Sequence, residues 1–174
     1  MKPAPSPLNI IDFAILNFEL NFVAPATENA NGGNDLRSYF NNYDLDVDFY
    51  IHSDSILQVF IKAYINRKEE RLPGYSIYAE IACLFDYNKD IPVSPEAKSN
   101  IEGYSTVYMA LNSLRGFISQ ITANGPVGRY ILPSIDLNDL IEQKKASTEK
   151  KDSPKDTKGK KSSSPKKKRN NTSS

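Results

Sequence analysis

Hydrophobic residues recur at every second position through the first half of this chain and at every third or fourth position afterwards. Alternation of this kind is typical of half-buried strands. It covers residues 9–23, 44–52, 57–66 and 75–87. The connections between the last three runs are short, so the sequence predicts a four-stranded antiparallel sheet arranged as a meander. In the first run the apolar parity reverses at Ile15 and Leu16, which indicates either a β-bulge or a strand covered on both faces.

The second half of the chain predicts helices. An amphipathic helix of about 20 residues is indicated by apolar side chains at spacings of three and four, namely Tyr104, Val107, Tyr108, Leu111, Leu114, Ile118 and Ile121. Asn124-Gly125-Pro126 ends this helix. Ser134 or Asp136 is placed to cap a short final helix. Strands followed by helices indicate an α+β fold, with one long and one short helix packed on one sheet face.

The predicted sheet carries apolar side chains on both parities. Phe60 and Tyr64 lie opposite the apolar positions of the third strand, and Tyr78 and Leu84 do the same in the fourth. Two helices cover only one face of such a sheet. The other face requires a partner, and a second copy of the chain is the simplest one, so we expect an oligomer.

Charge divides the 174 residues into an acidic body and a basic end. Residues 144–174 contain 12 Lys and Arg against three acidic residues, whereas residues 1–143 contain ten against 18. All ten Tyr and eight Phe lie in the body. We therefore expect a loose N-terminal arm over residues 1–7, one folded domain over residues 8–143 and a disordered Lys- and Ser-rich tail over residues 144–174.

Several classes of protein are excluded by what the sequence lacks. No run of residues approaches the about 18 apolar residues of a membrane-spanning helix, so no membrane insertion is expected. Lys2 is the only positive charge near the N-terminus, and Asp12 interrupts the apolar segment, which argues against a signal peptide. A single cysteine, Cys83, excludes an internal disulfide and favours a reducing compartment. We expect a cytoplasmic protein.

Enzyme chemistry finds little support. The chain contains no phosphate-binding loop, dinucleotide-binding glycine motif or nucleophile elbow. Asp44, Asp46 and Asp48 could be taken as a cation site, but in a strand they line one face at intervals of about 7 Å, which favours a solvated polar face. His52 continues that polar face, and Cys83 lies on an apolar one. We predict no catalytic residue, no metal site and no cofactor, and hence no enzyme.

The basic tail contains one short motif. Lys166, Lys167, Lys168 and Arg169 follow Pro165 in a pattern that matches nuclear-localisation signals and suits contact with polyanions. A charged extension that only keeps the protein soluble explains the same composition and is the favoured interpretation. Binding of nucleic acid through the tail is the alternative, although no aromatic residues accompany the charge.

The number of aromatic residues exceeds what one small core requires. An oligomer interface explains some of them, and an apolar groove for unfolded chain explains others, because aromatic side chains offer contact area at little entropic cost. The candidates for such a client-binding groove come from strand parity and from one helix face. They are Phe60, Tyr64, Tyr78, Tyr104, Tyr108 and Leu111.

Three segments of the chain resemble the SecB family of protein-export chaperones. Leu20–Pro25 is similar to the end of the family's first strand, and Tyr78-Ala79-Glu80-Ile81 followed by Phe85 is similar to its fourth. The most specific likeness runs from Leu114 to Leu140. There the family pattern is matched by Arg115, Ile118, Thr122, Gly125, Leu132, Pro133 and Ile135.

The resemblance implies a SecB-like fold and a homotetramer built as a dimer of dimers. It also implies ATP-independent holding of unfolded polypeptides, chiefly preproteins, in aromatic-lined grooves before transfer to the motor protein SecA. Glu19 and Glu80 fall at positions where acidic residues of the family help to dock SecA. A general or antitoxin-supporting chaperone, an oligomeric scaffold for one folded partner and a nucleic-acid-associated protein are the alternatives.

Overall fold

The computed structural model describes residues 1–26, 35–54 and 56–152, with side chains as far as residue 148. It contains four strands, β1 to β4, a 3₁₀ turn and three α-helices, α1 to α3, with a π-helical turn between α1 and α2. The strands are β1 (Leu8–Val23), β2 (Leu45–Ser53), β3 (Leu57–Ile65) and β4 (Gly74–Tyr87). The helical segments are the 3₁₀ turn Leu36–Asn42, α1 (Pro95–Asn100), the π turn Ile101–Ser105, α2 (Thr106–Thr122) and α3 (Leu137–Asp152). The predicted α+β fold is confirmed.

All strand pairs in the sheet are antiparallel, and their order is β1-β4-β3-β2. The predicted meander therefore describes β2, β3 and β4, whereas β1 pairs with β4 at the far side. The reason lies in the connection between β1 and β2, which is long enough to cross the sheet and holds the 3₁₀ turn. Among the described residues, β1 and β2 are left as the two edge strands.

Strand β1 contains the predicted bulge. Its register with β4 shifts between Ile15 and Asn17, and a second shift occurs between Ile10 and Asp12. The bulge between Ile15 and Asn17 brings Phe13 and Phe18, which have opposite parity in the sequence, against the same helix residue. Their rings lie 6.3 and 5.0 Å from that of Phe117.

The core lies between one sheet face and α2. Alternate residues of β3 and β4 are inaccessible, including Ile61 and Ile81, and they face buried residues of α2 such as Val107 and Leu114. Leu111 belongs to the same layer and is only 4% exposed. Its prediction as a client-binding residue is therefore corrected, since the apolar stripe that made it a candidate is the side of the helix that packs on the sheet.

The long helix begins earlier than its apolar pattern indicates. The Ser94 side chain accepts a hydrogen bond from the backbone N–H of Ala97 at 3.2 Å, and Pro95 follows as the first helical residue. The π turn then joins this short helix to α2. The helical path therefore starts nine residues before Tyr104, where periodicity alone placed it.

Residues of the segment Leu114–Leu140, which resembles the SecB family, bind the connection that follows α2 to the helix itself. The Arg115 guanidinium donates to the backbone oxygens of Leu132 and Pro133 at 2.9 and 3.1 Å. The buried Thr122 hydroxyl accepts from the backbone N–H of Tyr130 at 2.9 Å. A side chain at Gly125 would place its Cβ 2.3 Å from the Tyr75 hydroxyl. These matched residues therefore hold the fold together.

The final helix is capped as predicted but is longer. The Asp136 carboxylate accepts from the backbone N–H groups of Asn138 and Asp139 at 2.9 and 3.3 Å. Helix α3 continues to Asp152, past the boundary predicted at residue 143. The tail motif Lys166, Lys167, Lys168 and Arg169 lies outside the described residues.

Some of the many aromatic side chains pack against one another inside the protein. Phe40 packs against Tyr43, Tyr75 and Tyr130 with ring centroids 5.5, 5.9 and 5.2 Å apart. The Tyr43 hydroxyl accepts from the Tyr75 backbone N–H at 2.8 Å. This cluster buries aromatic rings beyond the end of α2 and leaves fewer of them for a binding surface than their number in the sequence indicates.

Candidate functional site

Three of the predicted groove residues share the sheet face that α2 does not cover. Phe60, Tyr64 and Tyr78 are each half-buried there. The Tyr64 and Tyr78 rings lie 4.9 Å apart, and Phe60 lies 6.3 Å from Tyr50, which is 59% exposed. The accessible aromatic surface of this outer face is therefore centred on Tyr50, a residue that is not among the predicted groove candidates.

The two predicted acidic docking residues lie on this outer face as well. Glu80 forms an ion pair with Lys62 at 3.1 Å and accepts a hydrogen bond from the Tyr78 hydroxyl at 2.8 Å. These contacts, the Tyr78 hydrogen bond above all, hold the pKa of the Glu80 carboxyl below its usual value. Glu19 forms an ion pair with Arg67. Both carboxylates are therefore already neutralised within the chain.

The other two predicted groove residues lie on the opposite side of the sheet. Tyr104 belongs to the π turn and Tyr108 to the first turn of α2, and they are 40% and 56% exposed. The sheet and its core separate them from Phe60, Tyr64 and Tyr78. The six predicted residues therefore do not line one groove within a protomer, because sequence parity does not distinguish the two sides of a two-layer fold.

A groove that the sequence did not indicate runs along the free edge of β2. Its walls are residues 45–49 of β2 and the first three turns of α3, and two adjoining cavities of about 330 and 170 Å³ make up its volume. The floor is apolar and consists of Leu45, Val47, Phe49, Ile135 and Leu140. We call this cleft the edge groove.

The rim of the edge groove is charged. Asp46, Asp48, Asp136 and Asp139 line it and are all exposed. Lys144 is the only basic residue in the lining. Its ammonium lies 2.6 Å from the Asp48 Oδ1 and 5.8 Å from the centre of the Phe49 ring. The rim therefore attracts cations and positively charged chain segments.

The edge groove has the features that bind an extended polypeptide through backbone pairing and apolar contact, without a catalytic residue. In the described part of the chain β2 has a strand neighbour on one side only, so its backbone donors and acceptors on the other side have no strand partner. Alternate side chains of such a strand would reach the apolar floor. Leu140 is one of the apolar residues of the final helix, but only the fold shows that it lies beside residues 45–49 of β2.

The single cysteine and the single histidine lie in surroundings that do not suggest catalysis. Cys83 is buried between sheet and helix, and burial raises the pKa of its thiol to about 11. His52 pairs with Asp54 at the surface, at 3.0 Å. No group of three or more His, Cys, Asp or Glu side chains within residues 1–26, 35–54 and 56–148 is arranged to hold a metal ion. In the same residues no helix is long and apolar enough to cross a membrane.

Comparisons with known proteins find likeness in structure alone. No family model matches the chain, and no curated protein matches it. One similar solved structure is the SecB-like chaperone Rv1957 of Mycobacterium tuberculosis, in complex with a peptide from the HigA1 antitoxin. It is 18% identical, with a TM-score of 0.48, and the match covers 75% of this chain and 91% of that one. Another is a protein of unknown function from Streptococcus agalactiae, at 10% identity and a TM-score of 0.41, covering 76% of this chain and 100% of that one.

Proposed function

We propose that the protein is a cytoplasmic, ATP-independent chaperone that holds non-native polypeptides, including preproteins for export. The observation that carries this proposal is the edge groove, in which an unpaired strand edge lies next to an apolar floor formed by Val47, Phe49 and Leu140. Such a site recognises features that every unfolded chain offers, namely a free backbone and apolar side chains. It does not require a particular client sequence.

The physical basis of holding is burial of apolar surface. Burial contributes about 25 cal/mol per Å², so a client side chain that buries about 100 Å² contributes about 2.5 kcal/mol. One such contact is weak, and backbone pairing with β2 adds to it. Neither binding nor release of this kind needs a nucleotide or a catalytic residue. The client leaves when its own folding, or binding to another partner, buries the same apolar surface.

Exposed aromatic residues outside the groove supply further contacts. Tyr50, Tyr104 and Tyr108 offer rings to the solvent on both sides of the sheet. Phe60, Tyr64 and Tyr78 would join Tyr50 if a client lay across the outer face. A chain wrapped over several such sites gains avidity from contacts that are each weak.

Assembly into a homotetramer belongs to the same proposal. Strand β1 is an edge of 16 residues, and Ile10, Ile11, Ile15, Leu16 and Phe22 along it are each at least 40% exposed. A long apolar edge of this kind associates with another strand, and a second copy of β1 is the partner we propose. Docking of SecA on Glu19 and Glu80 would have to displace Arg67 and Lys62 from these carboxylates.

Suppression of aggregation tests the proposal. An unrelated unfolded enzyme is diluted into buffer with the full chain and without nucleotide, and light scattering is followed. Ser147→Trp fills the edge groove from α3 without removing an apolar contact, and Ala146→Trp places the same side chain at the preceding residue of α3, outside the groove lining. We expect the full chain and Ala146→Trp to suppress aggregation and Ser147→Trp to be weaker. A chain that leaves aggregation unchanged would contradict the proposal and favour a scaffold for one folded partner.

A further inference from the structure

We infer that the basic segment of residues 153–174 binds back onto the acidic rim of the edge groove and competes there with clients. The inference deepens the proposed function and rests on it, because it concerns the same groove. It assigns a role to the tail, which the client-holding surfaces do not otherwise involve.

The path of the chain places the segment near the groove. Leu140, Gln143, Lys144 and Ser147 of α3 line the groove, and α3 ends at Asp152. The segment therefore begins about 8 Å of helix beyond Ser147. Its 22 residues span up to about 70 Å when extended. That length exceeds the distance back along the whole groove, since the five groove residues of β2 cover about 17 Å.

The charges of the two partners are complementary. The segment contains eight Lys and Arg residues and one acidic residue, Asp156. The groove lining presents four carboxylates and only one ammonium group, that of Lys144. The Asp48 carboxylate is 61% exposed even though Lys144 contacts it. The rim therefore has room for additional cations.

Lys144 already shows the contact that we infer. It is the first residue of the basic region, and its side chain reaches across the groove to Asp48 and lies over the Phe49 ring. The contact links residues that are 96 positions apart in the chain. Basic residues further along the same chain would repeat it at Asp46, Asp136 and Asp139.

The segment can shield the rim but cannot replace a client. Its only apolar side chains are those of Pro154 and Pro165, so the floor of the groove stays available to a client whose apolar contacts outweigh the charge contacts. A tethered segment has an effective concentration of about 1 mM. With an intrinsic dissociation constant of about 0.3 mM for the charge contacts, competition would weaken client binding about fourfold.

The test compares the full chain with a variant in which all eight basic residues of the segment are neutralised, by Lys155→Gln, Lys158→Gln, Lys160→Gln, Lys161→Gln, Lys166→Gln, Lys167→Gln, Lys168→Gln and Arg169→Gln. The probe is a labelled unfolded peptide with equal numbers of Lys and Glu, so that net charge does not bias its binding. We expect the neutralised chain to bind this peptide about fourfold more tightly at low salt. The difference should vanish at 0.5 M salt, where charges are screened within a few ångströms. Equal affinity of the two chains at low salt would overturn the inference.

Charge substitutions in the body locate the contact. An Asp46→Asn, Asp48→Asn background removes two of the four rim carboxylates, so neutralising the tail should there change peptide affinity less than about twofold. In an Asp86→Asn, Asp90→Asn background the fourfold difference should persist, because Asp86 near the end of β4 and Asp90 beyond it are exposed at the end of the sheet opposite the groove residues of β2. A difference that the first pair of substitutions leaves at fourfold, or that grows with protein concentration as for a second copy, would overturn the assignment to this groove of the same chain.

A separate measurement distinguishes failure of the inference from failure of the proposed function. A synthetic peptide of residues 153–174 is titrated into the neutralised full chain, with no client present. We expect binding that is lost at 0.5 M salt and weakened in the Asp46→Asn, Asp48→Asn background. If no client peptide binds any variant but the synthetic tail binds, the proposed function fails and the tail contact stands. If clients bind and the tail peptide does not, the inference fails alone.

Discussion

The most quantitative prediction concerns Asn66, which ends β3. This residue is fully buried and has a left-handed backbone conformation, with φ of 53°. Its side-chain amide donates to the carbonyl oxygens of Leu72 and Tyr75 at 2.8 and 2.6 Å. Its side-chain oxygen accepts from the Leu72 N–H at 2.8 Å. One side chain therefore holds the turn that connects β3 to β4.

Replacement of Asn66 by Ala removes three hydrogen bonds and leaves their partners in the turn without them. Each such loss costs about 1 kcal/mol. Alanine also adopts the left-handed conformation at a cost of about 1 kcal/mol, which asparagine tolerates better and glycine avoids. We expect Asn66→Ala to lower the free energy of unfolding by about 4 kcal/mol and Asn66→Gly by about 3 kcal/mol. Against a typical total of about 5–15 kcal/mol, both losses are large.

Urea denaturation followed by circular dichroism measures both variants against the unmodified chain. The slope of the unfolding free energy against urea concentration should be unchanged, since both variants expose the same surface on unfolding. The comparison of the two variants isolates the backbone contribution. A loss below about 1 kcal/mol for Asn66→Ala would refute the hydrogen-bond reasoning, and equal losses for the two variants would refute the backbone reasoning.

Three further predictions concern single residues. The hydrogen bond from Tyr78 helps to hold the pKa of the Glu80 carboxyl below its usual value. This carboxylate therefore stabilises the fold at neutral pH, and the contribution is lost as the pH falls through the lowered pKa. Glu80→Gln should flatten the acid side of the pH dependence of urea midpoints, and an unchanged profile would contradict this. The buried Cys83 thiol, with its pKa raised to about 11, should react with a disulfide reagent at pH 8 only after unfolding, and rapid native labelling would show that the site is open. Gly125→Ala would bring a Cβ within 2.3 Å of the Tyr75 hydroxyl and should cost about 2 kcal/mol in the same denaturation assay, whereas a neutral effect would mean that the ring moves freely.

Local patterns were sufficient to predict most elements of the fold. Alternation and helical spacing reflect contacts within one strand or helix, and they located β1 to β4, α2 and the start of α3. The bulge at Leu16 was visible because the apolar parity reverses there. The bulge beside Ile11 was not, since neighbouring apolar residues hide the change of register. The first helical turns at Pro95–Asn100 were missed because all six of their residues are exposed and carry no apolar period.

The candidate site depends on contacts that no local pattern contains. The edge groove forms because β1 pairs with β4 and leaves β2 at an edge, and because α3 returns to that edge near the end of the chain. The number of aromatic residues was a poor guide for the same reason, since Phe40 and Tyr130 meet only in the folded protein, where their rings are 5.2 Å apart. Alternation along each strand showed which side chains point away from the core, but it did not show which of them lie on the same surface of the folded protein.

The central claim is that clients add to the free edge of β2, and hydrogen exchange of its backbone amides tests it most directly. The full chain is incubated with and without an excess of an unfolded client, and exchange is followed in fragments that cover residues 44–50 and, for comparison, residues 57–65 of β3. We predict that bound client slows exchange in the β2 fragment and leaves β3, already paired on both sides, unchanged. A client that binds without slowing exchange along β2 would contradict the claim.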